Sequence, residues 1–217
     1  MSRRNKEKTM SKDIQKAHTD VIDKVVEGIQ NAISHVPASS EPLAADPLHR
    51  SSVIITTASL KAAAVSGTLA LPPGPAGLVT ILPDLVAIWA LQTQLVADIA
   101  AAYGKKGALG PEQMLYCLFR HAASQAVRDL VVRVGERVLV RRVTLKFFQT
   151  VLRKVGVKVT QRLIGKVIVR WIPFVGAAGV AAYAFYDTHQ VGKTAVELFS
   201  KDIVVEPPVD EANASPA

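Results

Sequence analysis

Residues Leu69–Gly104 read LALPPGPAGLVTILPDLVAIWALQTQLVADIAAAYG. The stretch opens with the glycines and prolines of a turn, Pro72, Pro73, Gly74, Pro75 and Gly77, which interrupt any helix. Their neighbours, Leu69, Leu71, Leu78, Val79, Ile81 and Leu82, are apolar, and no charge occurs between Ala62 and Pro83. A surface turn normally carries polar residues that keep its backbone solvated. An apolar turn is therefore covered by protein or by lipid. The helix that follows is expected to start near Pro83, a residue suited to a first turn, and to run to Tyr103. Gly104 is its natural C-cap, and Lys105 and Lys106 suit the negative end of its dipole.

Working outward, apolar positions at helical spacing predict further helices. Val21, Ile22, Val25, Ile29, Ala32 and Ile33 place one over about Lys12–Ser34. Ile54, Ile55, Leu60, Ala63, Ala64 and Leu69 place a second over about Ser51–Ala70. Between them His35–Arg50 holds three prolines and reads as a loop, a hinge for the first helix. Pro111-Glu112 opens another helix carrying Leu115, Leu118, Ala122, Ala126 and Leu130, with Gly135 and Gly156 as breaks after it. A last helix follows Ile172-Pro173 and ends near Ser200. Residues 131–169 are rich in valine, which favours strands. Strict alternation is not sustained there, and charges recur every four residues, so helix is expected. The fold class is all-α, a single-domain bundle of six or seven helices over 13–200. It is flanked by a disordered basic start (1–12) and a disordered, acidic, Pro-rich tail (201–217).

Composition agrees with one domain: 217 residues, 49% apolar but only 6% aromatic, give a core of Ala, Val, Leu and Ile. The formal charge of +8 favours an anionic partner. A single cysteine, Cys117, excludes an internal disulfide and a thiolate metal cluster, and suits a reducing compartment. Ser2-Arg3-Arg4 lacks the apolar segment of an export signal, and the sequon-like Asn213-Ala214-Ser215 precedes proline, so neither processing is expected.

Catalytic motifs are not found. His18, His35, His49, His121 and His189 are scattered and form no HExxH pair. Val191-Gly192-Lys193-Thr194 imitates the end of a phosphate-binding loop, but the position needing the first glycine is Asp187. Asp84 and Asp98 share a face of the third helix about 21 Å apart along its axis, too far for a carboxylate pair or one shared metal. With Gln94 on the same side, they are expected to pair with basic residues of neighbouring helices; a polar track or ligand site between helices is the sharper alternative. No catalytic residue, metal or cofactor is expected.

The basic residues are more informative. Between Arg128 and Arg170 twelve Lys and Arg face only Asp129 and Glu136. Arg133, Arg137 and Arg141 step by four, as do Lys158, Arg162, Lys166 and Arg170, so each set is expected to line one helical face. A solvated face normally alternates in sign. A basic amphipathic helix beside uncharged segments reads as membrane-surface binding. Nucleic acid is the lesser expectation, since aromatics are sparse in the basic stretch and no recognition-module signature is present. The final helix begins with 16 uncharged residues, Trp171–Tyr186, short of a bilayer span. Its small residues, Gly176 to Ala184, allow another helix to approach closely.

Leu82-Pro83-Asp84-Leu85, Trp89-Ala90-Leu91-Gln92, Ile99-Ala100 and Tyr103-Gly104 resemble the EcsC-like family of bacterial proteins. Ile172-Pro173-Phe174-Val175-Gly176-Ala177, with Val191-Gly192 downstream, is similar to that family's C-terminal signature and to a hydrophobic helical domain attached to some bacterial GTPases. The similarity covers about residues 50–200. It implies a bacterial, mainly helical protein linked to membranes or transporter loci, without an established catalytic activity. It marks Pro83, Asp84, Gln92, Tyr103, Gly104, Pro173 and Gly176 as motif positions without assigning their roles.

The reading that follows is a non-enzymatic accessory protein, cytoplasmic and held peripherally on the inner face of the cell membrane. It would bind anionic lipid, or a membrane protein, through the basic stripes and through Leu71 and Leu78 of the apolar turn, with homo-oligomerisation as another way of covering that turn. The alternative is a cytosolic interaction or scaffold module whose apolar turn is buried. An enzyme with a site between helices at Asp84 is the third class.

Overall fold

Val25, Ile29 and Ile33 recur every four residues and are fully buried, which fixes the inward face of the first helix, α1 (Arg3–Ser34). The computed structural model describes residues 3–69, 77–121, 125–128, 130–141, 144–167 and 175–206. Within it α1 is followed by α2 (Pro47–Leu69), α3 (Gly77–Ala102), α4 (Pro111–Phe119), the single turn α5 (Gln125–Arg128), α6 (Leu145–Val167) and α7 (Val175–Phe199). The class is all-α, a helical bundle, with one small three-stranded sheet attached: β1 (Val131–Val134), β2 (Arg137–Arg141) and β3 (Asp202–Glu206).

The centre of the bundle is built by α3 and α4. From Gln113 to Phe119 every residue of α4 is buried, the pattern of a helix enclosed on all sides. Pro111 starts it, and the Gly110 amide donates to Gln113 Oε1 at 3.1 Å. Leu95, Val96, Ile99 and Ala100 of α3 lie against the same core, and Trp89 meets Phe119 edge-to-face at 5.9 Å. Helix α3 ends as expected at Gly104. Its φ of +68° lets its amide reach Ala101 O at 2.8 Å while the Lys105 amide reaches Ala100 O at 2.7 Å, a Schellman closure.

Two outer pairs rely on close approach. Helix α2 packs mainly on α7, and α6 on α1. Gly67 faces Ala181, and Gly192 faces Ile55, so the α2 and α7 chains run in opposite directions. A methyl group added at Gly192 would stand 2.4 Å from Ile55 Cγ1. Gly192→Ala is therefore expected to lower stability by about 1–3 kcal/mol. Shortening the opposing chain with Ile55→Val should recover part of the loss. Chemical-denaturation curves of the single and double variants measure this; equal stability of Gly192→Ala and the parent would show that the helices separate freely.

Several local expectations are corrected. Helix α1 begins at Arg3, within the stretch expected to be disordered, because residues 3–27 hold neither Gly nor Pro and are rich in Lys, Arg, Glu and Gln. Helix α3 begins at Gly77, ahead of Pro83. Helix α4 ends at Phe119, well before Leu130. Gly156 does not break a helix: it sits inside α6 where an added Cβ would lie 2.4 Å from Val26 Cγ2 of α1.

The largest correction concerns residues 131–141, expected as helix. Val131–Val134 and Arg137–Arg141 form an antiparallel hairpin closed by Gly135-Glu136, with Val134 opposite Arg137 and Val131 opposite Val140. Gly135, at φ +60°, supplies the left-handed conformation such a two-residue turn requires. β-Branched side chains favour the pleated form, and Val131, Val138 and Val140 are buried. The start of the expected disordered tail is likewise a strand: β3 pairs with β2 in parallel.

Candidate functional site

A dense polar constellation among the described residues lies between α3, α4 and α7. On α7, Tyr183 and Asp187 are one turn apart and share a face with Thr188 beside them. Gln92, at 1% exposure, comes from the middle of α3, and His121 stands just past the end of α4. All converge on the Asp187 carboxylate. Gln92 Nε2 donates to Asp187 Oδ2 at 2.8 Å and lies 3.3 Å from Thr188 Oγ1. His121 Nε2 lies 2.8 Å from Asp187 Oδ1. The Tyr183 hydroxyl also bonds to Asp187. Burial pushes the Asp187 carboxyl up, but the hydrogen bond and charge of His121, with the bonds from Gln92 and Tyr183, outweigh it and hold the group below its usual range.

With the carboxylate ionised, His121 Nε2 carries the proton and donates it. Nδ1 is buried and finds no hydrogen-bond partner among the described residues. A His–carboxylate pair can serve as a general base toward a side chain, a water or a substrate that reaches its free nitrogen. No described hydroxyl or thiol contacts Nδ1. Cys117 is fully buried, and that burial pushes its thiol far up, with Arg120 opposing weakly, so it is an inert core residue. Beside the cluster Arg120 pairs with Glu197 of α7 and lies over the Tyr116 ring at 5.5 Å. His189 of α7 stacks on Phe185 at 6.0 Å; burial and then Lys193 push its pKa down. Among the described residues no three His, Cys, Asp or Glu side chains come together as a metal site. The hydrogen bonds of the cluster clamp α3 and α7 to the end of α4.

A second polar group holds the loop before α2. Asp98 Oδ1 accepts from Ser39 Oγ at 2.7 Å and from Gln94 Nε2 at 2.8 Å. Gln94 Nε2 also donates to Ala38 O, Lys106 Nζ to Ser39 O, and the Ala44 amide to Ala102 O. One expectation changes: Asp98 is served by neutral donors, not paired with a cation from a neighbouring helix. The Pro-containing loop is tied to α3 and to Lys106. The Asp84 side chain lies outside the described residues.

The expected basic stripes divide. Arg133, Arg137 and Arg141 share no helical face, because Arg133 belongs to β1 and the other two to β2. The sheet also sets Asp202 opposite Arg137 and Glu206 opposite Arg141. Lys158 is exposed on α6; at Arg162 and Lys166 only the helical backbone is described, and Arg170 lies outside. Leu71, the rest of the apolar turn over 70–76, and Pro173 also lie outside the described residues. For Leu78, Pro83 and Gly176 helix position alone is given. Tyr103 and Gly104 form the end of α3, with the Tyr103 phenol pushed up by burial and by Asp46.

Helix α6 retains a one-sided charge. From Leu145 to Val167 it has six Lys and Arg and no acid. Lys146, Arg153, Lys154 and Lys158 are exposed, and none takes part in an ion pair among the described residues. At its first turn Leu145 is 73% and Phe147 42% exposed. Among the described residues one stretch, Leu85–Ala102 of α3, is long and apolar enough to cross a membrane; 61% of it is buried within the bundle.

Sequence reasoning marked Gln92 but not its partners. Asp187 appeared only as the charge that spoils a phosphate loop, and His121 as one of five scattered histidines. No family model, curated protein or solved structure matches the chain.

Proposed function

We propose that this protein is a non-enzymatic helical accessory protein that docks on anionic membrane surfaces through α6. The observation that supports the reading is the acid-free α6, with four exposed cations that have no ion-pair partner among the described residues, behind an exposed Leu145 and Phe147. Unpaired Lys and Arg release their counterions to a charged bilayer, and each contributes on the order of 1 kcal/mol near such a surface. Leu145 and Phe147 provide apolar area that becomes favourable only on leaving water. The apolar turn with Leu71 and Leu78 is the second contact in this reading, the EcsC-like family its kinship, and the inner face of a bacterial cell membrane its place of work.

Vesicle co-sedimentation tests it. Binding is expected to rise with the fraction of anionic lipid and to fall steeply between low and physiological salt. Leu145→Ser with Phe147→Ser should leave the fold intact and weaken binding by about tenfold or more, on the scale of two large apolar side chains. Binding that ignores lipid charge and salt, or never occurs, rules the reading out.

A further inference from the structure

Helix α6 is held by one neighbour. Among the described residues it packs extensively on α1 alone, while α1 has its own contacts with α3 and α4. The seam is tight at one point, where Gly156 leaves room for Val26 and the Ile22 carbonyl. One turn on, Thr160 is fully buried and its Oγ1 finds no hydrogen-bond partner among the described residues. An unmet buried hydroxyl weakens the seam that encloses it. On α1, Ile22 and Val26 are only half-buried even with α6 in place.

Taken alone, α6 has the pattern of a helix that lies in a membrane interface. Val151, Leu152 and Val155 are buried, and Phe148 and Val159 pack beside them partly buried. At 3.6 residues per turn these five fall within one arc of about 100°. Arg153, Lys154 and Lys158 lie exposed on the remaining surface, and no acid occurs from Leu145 to Val167. An apolar stripe with cations around the rest of the helix is the form that sinks into the headgroup boundary of an anionic bilayer. In the bundle this stripe is turned inward.

We propose that α6 is a releasable membrane anchor. On an anionic bilayer it leaves α1, rolls about its axis and places Val151, Leu152 and Val155 in the lipid, with its cations at the headgroups. A bilayer shifts the equilibrium by its greater affinity for the released helix, which offers apolar area as well as charge. What is lost is the seam with α1, already weakened by the Thr160 hydroxyl. The inference rests on the membrane reading above and names the form of α6 that binds.

Two variants of the full chain move the seam in opposite directions. A Cβ at Gly156 would stand 3.7 Å from Val26 Cβ, a separation that suits a disulfide. Val26→Cys with Gly156→Cys, once oxidised, therefore staples α6 to α1. Cys117 is fully buried and stays out of the pairing. Gly156→Ala instead sets a methyl 2.4 Å from Val26 Cγ2 and loosens the seam without breaking the helix. The oxidised staple is expected to bind anionic vesicles about tenfold more weakly than its own reduced form, because the buried stripe no longer reaches lipid. Comparing one protein in two redox states cancels any effect of the substitutions themselves. Gly156→Ala is expected to bind about threefold more tightly than the parent, since crowding raises the free energy of the closed form. Equal binding by the oxidised and reduced staple, or no gain in Gly156→Ala, overturns the release while leaving docking through the exposed face of α6 in place. Absence of salt-sensitive binding in the parent overturns the membrane reading and the release together.

Discussion

Replacing Asp187 with alanine is expected to lower the free energy of unfolding by about 3 kcal/mol, because the donors that converge on this partly buried carboxylate lose their acceptor. Three donors converge on this carboxylate, from Gln92, His121 and Tyr183. Gln92 is 1% exposed, so its amide has little water to turn to, and an unmet buried donor costs about 1–3 kcal/mol. Asp187→Asn should cost less. Its carbonyl can still accept from Gln92, and its amide can donate to His121 Nε2 if the imidazole proton moves to Nδ1. That tautomer places a proton on the buried nitrogen without a described partner, so the rescue is incomplete. The pH dependence has a definite sign. The folded pKa lies below the ordinary 3.8. The stabilisation is therefore fully present above the unfolded value and is lost as pH falls below it toward the folded one. The acid limb of the stability curve should be flatter in Asp187→Ala than in the parent. Urea melts at neutral pH and down the acid range measure both. A midpoint for Asp187→Ala matching the parent would mean that the clamp does not hold the helices.

Why the clamp escaped the sequence reading is a matter of separation. Gln92 and Asp187 are 95 positions apart, and His121 and Asp187 are 66 apart. Local periodicity places Asp187 on a helix but says nothing of which helix end faces it. Helical class, by contrast, is local: Val25, Ile29 and Ile33 make the inner face of α1 readable, and Gly104 ends α3 where its missing side chain permits. The hairpin was misread because Arg133, Arg137 and Arg141 step by four, a spacing that a two-residue turn within two short strands also produces. Five valines around Gly135 favoured the sheet, and the burial of Val131, Val138 and Val140 decided the outcome. Gly156 shows the same limit. A glycine that breaks a lone helix and one that admits a neighbouring helix look alike until Val26 stands beside it.

Substituting Arg153, Lys154 and Lys158 together with glutamine is expected to weaken binding to anionic vesicles by roughly a hundredfold, from three contributions on the order of 1 kcal/mol each. The stability of the fold should barely change. All three side chains are exposed, and none has an ion-pair partner among the described residues to lose. The core face of α6, with Val151, Leu152 and Val155, is untouched. Glutamine also preserves helix propensity and most of the chain length, so charge is the variable that changes. Raising salt should reduce the difference between parent and variant, because screening removes from the parent what substitution removed from the variant. The Leu145/Phe147 variant should respond oppositely, losing binding that salt does not reach. Parallel titrations with duplex DNA separate the two anionic partners. A surface built for lipid needs the apolar first turn as well as the cations, whereas a phosphate backbone needs the cations alone. Parent-like vesicle binding by the triple variant, with an unchanged melting curve, would remove α6 as the docking face.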